Sequence, residues 1–116
     1  MSSSETVFER ILRGSAPADV VYEDEHVLAF RDLRPQAPAH VLVIPKKRAR
    51  NLSDLAEWDA ASAGGFIRGV AVVAAKLGLE EAGYRVVMNC GRHGQQSVEY
   101  LHAHILGGRQ LHWPPG

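Results

Sequence analysis

His40-Val41-Leu42-Val43-Ile44-Pro45 is the most strand-like run in this 116-residue chain, and it is apolar at consecutive positions. Successive side chains of a strand point to opposite faces, so a run with no polar alternation is expected to be buried on both. Pro38 and Pro45 set its limits, because proline cannot donate to a strand ladder. A chain of this length fits one domain, residues 1–116. At this size a fold buries about two-thirds of its unfolded surface and needs no disulfide or metal staple. The single cysteine, Cys90, excludes an internal disulfide and any multi-cysteine zinc site, and it suits a reducing compartment.

Other elements fall into place around this strand. Ser2 with Glu5 fits a capping box; Val7, Phe8, Ile11 and Leu12 follow at helical spacing, and Gly14 can end the helix. Val20 to Glu23 and Val27 to Phe30 read as a hairpin turning at Asp24-Glu25. Pro35 and Pro38 favour a fixed loop. Asn51 or Ser53 can cap a helical region running to Leu77-Gly78, with a break expected near Gly64-Gly65. Tyr84 to Cys90 and Leu101 to Leu106 read as strands, expected to pair antiparallel across the glycine-bearing loop Gly91 to Gln96. The tail Gln110 to Gly116 is irregular. Strands joined by a hairpin and by a long helical excursion predict an α+β fold with a mostly antiparallel sheet.

Thirteen basic residues balance thirteen acidic ones. The densest basic run, Lys46-Lys47-Arg48-Ala49-Arg50, reads as a solvated turn after a strand, so no nucleic-acid partner is expected. The polar start lacks the regions of a signal peptide, and the apolar stretch Ala60 to Leu79 contains Arg68, Lys76 and several glycines. A soluble, cytoplasmic protein without membrane contact is the expectation.

The chemistry concentrates in Val98-Glu99-Tyr100-Leu101-His102-Ala103-His104-Ile105-Leu106. Strand alternation puts Tyr100, His102, His104 and Leu106 on one face and the apolar Leu101, Ala103 and Ile105 on the other. Two imidazoles on one rigid face can serve as nucleophile, base or ligand, since imidazole titrates near neutrality. Metal binding needs three or four ligands. His40 could be a third, but no carboxylate suggests itself nearby, which favours nucleophilic or acid–base work. The loop Asn89 to Val98 has glycines that let backbone N–H groups approach phosphate oxygens, with Gln96 and Ser97 as further donors, although an ordinary hairpin loop would look the same. Arg92 and His93 are expected to face solvent, and His26 and His112 to lie on the surface or tail. Asp32 could accept hydrogen bonds from ribose hydroxyls while Phe30 and Leu33 pack on a base; it could equally cap its own loop.

Together these residues resemble the histidine triad family, and within it the Hint branch of purine nucleoside phosphoramidases. The family pattern alternates three histidines with apolar residues. Here it reads Tyr100-Leu101-His102-Ala103-His104-Ile105-Leu106, followed by Gly107-Gly108-Arg109. The segments Phe30 to Lys47 and Gly83 to Asn89, and the terminal Trp113-Pro114-Pro115-Gly116, are similar to the same branch. The resemblance implies a five-stranded antiparallel sheet with one long helix and a short N-terminal helix. It also implies a homodimer with the long helix and last strand at the interface.

The activity so implied is hydrolysis of a purine nucleoside 5′-phosphoramidate, such as AMP joined to an amine or a lysine side chain, without cofactor or metal. His102 matches the nucleophile and His104 the phosphate ligand, with a main-chain carbonyl of the same strand, that of Tyr100, holding the nucleophile's other nitrogen. Ser97 and the N–H groups near Val98 would hold phosphate, joined by Gln96, and help protonate the departing amine. His40 would support the triad. Asn89 would contact phosphate or sugar, and Asp32 the ribose. Phe8, Ile11, Phe30 and Leu33 would sandwich the purine of AMP or GMP. Trp113 would reach the partner subunit's site. Tyr100 stands where the family has its first histidine, and a phenol with a reference pKa of about 10 cannot shuttle protons near neutrality. Two further functions therefore accompany the first: a non-catalytic, dimeric purine-nucleotide-binding scaffold, and a hydrolase of dinucleoside polyphosphates.

Overall fold

A computed structural model describes residues 5–116. Its elements are α1 (Val7–Leu12), β1 (Val20–Glu23), β2 (Val27–Arg31), β3 (Ala39–Pro45), a 3-10 helix (Leu52–Glu57), α2 (Ala60–Lys76), β4 (Tyr84–Val87) and β5 (Ala103–Gly107). The strands form one antiparallel sheet in the order β1-β2-β3-β5-β4. The expected α+β architecture is the one observed.

β3 is central and buried from His40 to Pro45, as its unbroken apolarity requires. Val41 and Val43 join the core beneath α2, with Phe66, Val70, Val73, Leu101, Ala103 and Ile105 among its members. Leu42 and Ile44 face the other way, into a smaller cluster with Phe8, Leu28, Phe30 and Tyr100. α2 thus covers the middle of one sheet face, over β2, β3 and β5. α1 covers part of the other and leaves the remainder for chemistry.

Several boundaries differ from the sequence expectation. Ser2 lies outside the described residues; α1 is capped by Thr6, whose hydroxyl accepts from Glu9 N at 3.3 Å while Glu9 Oε1 accepts from Thr6 N at 2.7 Å. Asn51 caps the 3-10 helix, and Asp59 caps α2 separately. The helical break therefore falls at Trp58-Asp59, and α2 runs unbroken through Gly64-Gly65. Gly65 and Gly69 serve close approach instead. A Cβ on Gly65 would come within 2.5 Å of the His26 ring, and one on Gly69 within 2.7 Å of Val27. β4 ends at Val87, short of Cys90, and β5 begins at Ala103, so His102 immediately precedes the strand.

Each cation of the basic run is engaged locally. Lys46 meets Glu23 at 2.7 Å, Lys47 lies over the Trp58 ring at 4.7 Å, Arg48 meets Glu9 at 3.0 Å and Arg50 meets Asp54 at 2.9 Å. The Arg48–Glu9 pair ties α1 to the segment after β3. Among the described residues no helix is long and apolar enough to cross a membrane.

Candidate active site

The chain leaves β3, runs through α2 and β4, and returns as β5 between β3 and β4. This return places the last strand against β3, which carries His40. Leu42 pairs with His104 and His40 with Leu106, so His40 and His104 are diagonal neighbours on one face. His40 Nε2 and His104 Nδ1 lie 2.9 Å apart. The His102 and His104 ring centroids are 5.0 Å apart, confirming the side-by-side imidazoles expected from the alternation.

His102 is held firmly. Its Nδ1 lies 2.6 Å from the main-chain oxygen of Tyr100. A carbonyl only accepts, so Nδ1 carries the proton and Nε2 keeps its lone pair. The Phe8 ring packs edge-on at 5.0 Å. Burial, opposed by the Tyr100 carbonyl and by Asp32, lowers the His102 pKa. Burial likewise brings His104 down to about 4, aided by repulsion from protonated His102 and His40. His40 is lowered by burial against the pull of Asp32. All three imidazoles are neutral at physiological pH.

Tyr100 is 1 % exposed, and its hydroxyl donates to Pro45 O at 2.5 Å. Burial, with a smaller contribution from Glu9, pushes its pKa up to about 12. The phenol is thus committed to the end of β3, while the Tyr100 carbonyl serves His102.

Asp32 caps its own loop and also reaches the histidines. Its Oδ1 accepts from Arg34 N at 2.7 Å, the loop cap, and its Oδ2 lies 3.4 Å from His40 Nε2. The expectation that no carboxylate lies near His40 is corrected: Asp32, His40 and His104 offer donor atoms all within 4.8 Å of one another. One carboxylate and two imidazoles suit a borderline cation in kind, at the expense of the His40–His104 hydrogen bond. Nothing in the spacing of Asp32 from His104 signals this meeting.

The remaining residues divide. Phe8 and Phe30 are in edge contact at 5.6 Å, and Ile11 packs against their cluster. Leu33 stands apart and is 94 % exposed. Val98 is half-buried against the same cluster, Asn89 is half-buried after β4, and Ser97 is exposed. Gln96 does not present its amide to a ligand: its Oε1 accepts from Gly91 N at 2.9 Å, and its Nε2 donates to Arg50 O at 2.6 Å and Val98 O at 3.0 Å. It braces the loop from within, a correction to its expected role as a phosphate donor. Trp113 is exposed in the tail, with the Arg85 guanidinium 6.0 Å from its ring. Arg92, His93, His26 and His112 are exposed, as expected. A cleft of about 520 Å³, lined by Gly83, Tyr84, Arg85, Arg109 and Gln110 among others, contains none of the histidines. The Gln36 N–H lies 3.0 Å from His40 Nδ1, and the fixed loop between Pro35 and Pro38 is its only trace in the sequence.

A HIT domain model matches residues 13–111. The chain belongs to the HIT domain family. This HIT-domain chain is 48% identical over 118 residues to a 14 kDa zinc-binding protein from Zea mays, covering 100% of this chain and 91% of that one. It is 43% identical over 109 residues to a purine nucleoside phosphoramidase from Escherichia coli, covering 94% and 92%. A HIT family hydrolase from Legionella pneumophila superposes with a TM-score of 0.89 at 45% identity, covering 95% of this chain and 98% of that one. A hydrolase-type fold follows from the family.

Proposed function

We propose that this protein hydrolyses purine nucleoside 5′-phosphoramidates through a nucleotidyl-histidine intermediate on His102. The observation that carries the reading is the 2.6 Å contact between His102 Nδ1 and the Tyr100 carbonyl, which leaves Nε2 bare and basic in a buried setting. A phosphorus atom bearing anionic oxygens repels hydroxide, whereas a neutral imidazole approaches it without that repulsion. The His102 Nε2 lone pair forms a bond to phosphorus, and the phosphorus–nitrogen bond to the amine breaks. The amine departs with a proton supplied from the Ser97 side of the site. Water then attacks phosphorus, breaks its bond to Nε2 and releases AMP or GMP with a proton.

His104 and the backbone near Val98 hold the phosphate oxygens, Asp32 offers the remaining lone pairs of its carboxylate to the ribose, and Asn89 supports phosphate or sugar. Phe8, Ile11 and Phe30 form one apolar wall for the purine, and Leu33, solvent-exposed at the rim, folds onto the base when it is present. The phosphoramidase relative supports the substrate class. Tyr100 replaces the first histidine of the triad. Because its hydroxyl serves Pro45 and its carbonyl serves His102, the replacement alters packing and leaves the nucleophile in place. Every reacting group belongs to the chain. A homodimer acting in the cytoplasm, with Trp113 reaching the partner's site, completes the reading.

The deciding experiment is release of AMP from an adenosine 5′-phosphoramidate by purified protein in chelator, beside His102→Ala. Turnover by the wild type and none by His102→Ala, with AMP binding retained, is expected. Full activity in His102→Ala would eliminate the nucleophile assignment. Tight AMP binding without any turnover, restored in Tyr100→His, would favour the binding scaffold.

A further inference from the structure

Neutral histidine has two tautomers, and the hydrogen bond on one ring nitrogen decides where the single proton sits. Around His104 that choice traces back to a group with no freedom to change. The backbone N–H of Gln36 points at His40 Nδ1, 3.0 Å away. An amide N–H can only donate, so His40 Nδ1 must be the bare nitrogen and His40 Nε2 must carry the proton. His40 Nε2 then donates to His104 Nδ1 across 2.9 Å. His104 Nδ1 must in turn be bare, and the proton of His104 must sit on Nε2. The opposite arrangement would need a proton on His40 Nδ1, facing the Gln36 N–H.

The loop that carries Gln36 is pinned at several points. Asp32 N donates to His40 O at 3.0 Å, and Arg34 N donates to Asp32 Oδ1 at 2.7 Å. The Gln36 side chain donates to Arg34 O at 3.0 Å, and the Arg109 guanidinium donates to Gln36 O at 3.0 Å. Pro35 and Pro38 stiffen the chain on either side. Asp32 Oδ2, 3.4 Å from His40 Nε2, also favours a proton on that atom. The Gln36 N–H and the Asp32 carboxylate therefore agree on one tautomer of His40, and the pinned loop holds the first of them in place.

We propose that the Gln36 backbone N–H, acting through His40, fixes His104 as an Nε2–H donor, the tautomer opposite to that of His102. His102 has its proton on Nδ1 and a bare Nε2; His104 has a bare Nδ1 and its proton on Nε2. One imidazole offers a lone pair to phosphorus and its neighbour offers a hydrogen to a phosphate oxygen. With the reverse tautomer, both rings would present lone pairs to an anion. His40 is thereby a positioning residue that acts through His104. The catalytic use of this donor rests on the phosphoramidase reading above; the tautomer assignment stands on the hydrogen bonds alone.

Ring-nitrogen NMR of the uniformly 15N-labelled wild-type protein at pH 7.5 tests it without substrate. His40 and His104 should show a protonated Nε2 and a bare Nδ1, and His102 the reverse. In His40→Gln the side-chain amide can donate from the place of Nε2, so His104 should keep its pattern and most turnover should remain. In His40→Met that donor is gone. His104 should then show mixed tautomers, and kcat on an adenosine phosphoramidate should fall about tenfold with KM moving less, the worth of one preorganised hydrogen bond. A proton on His104 Nδ1 in the wild type, or an unchanged His104 pattern in His40→Met, would overturn the proposal. The expected tautomers in a protein that turns over no phosphoramidate would uphold the relay and remove the reaction. Turnover with His104 protonated on Nδ1 would remove the relay alone.

Discussion

Acid should destabilise this protein through its histidine cluster before most carboxylates titrate. Burial holds His104 near 4 in the folded state, against 6.5 when unfolded. As pH falls below 6.5 the unfolded chain takes up the proton first, so stability is complete above that pH and is lost on the way down to about 4. Each pH unit is worth about 1.4 kcal/mol, which makes about 2 kcal/mol lost by pH 5 and about 3 kcal/mol by pH 4 from His104 alone. His40 and His102, also lowered chiefly by burial, add in the same direction. Against a total stability on the order of 5–15 kcal/mol this is a large share. Urea denaturation at pH 7.5 and pH 5.0, at one protein concentration, measures it. The wild type should lose about 2 kcal/mol more between the two pH values than His104→Gln, which has no imidazole to protonate there. Equal losses in the two proteins would show that the buried imidazole is not the source, and the reasoning from burial would fail.

Tyr100→Phe removes the donor to Pro45 O and leaves a buried carbonyl unpaired; a loss of about 1–3 kcal/mol is expected in urea denaturation. Gly65→Ala and Gly69→Ala should differ although both add one methyl to α2. At Gly65 the obstacle is the ring of His26, whose side chain is 43% exposed and free to swing, so helix propensity dominates and thermal stability should hold or rise. At Gly69 the obstacle is Val27, fully buried and β-branched, and a loss of about 1–3 kcal/mol is expected. Removing residues 113–116 should change the preference among amine leaving groups in a panel of adenosine phosphoramidates; an unchanged panel would refute a role for Trp113.

The elements that sequence disclosed best are those whose pattern has one physical solution. His40 to Pro45 could only be a central strand, and the alternation from Tyr100 to Leu106 could only put two imidazoles on one face. Elements set by tertiary contact were misplaced. Gly64-Gly65 looks like a helix break by propensity, yet α2 runs through both, and the close packing of His26 explains Gly65 without a break. Gln96 has the chemistry of a phosphate donor, and only the path of the chain shows that Gly91, Arg50 and Val98 already occupy its amide. The proximity of Asp32 to His40 and His104 arises from the sheet order, which no local pattern encodes. The Gln36 N–H is invisible by kind, since every residue but proline has one and only the fold selects which of them matters.

The insertion of β5 between β3 and β4 also has a kinetic side. His40 and His104 are separated by 64 positions in the chain, and their contact closes only when the last strand docks. Long-range pairings of this sort form late and slowly, because the entropy of the intervening chain must be overcome first. A nascent or partly folded chain therefore carries its histidines as separate, solvated and ordinary imidazoles. On the proposed phosphoramidase reading, reactivity toward phosphorus is acquired only when β5 docks, so the appearance of turnover during refolding should report the docking of that one strand.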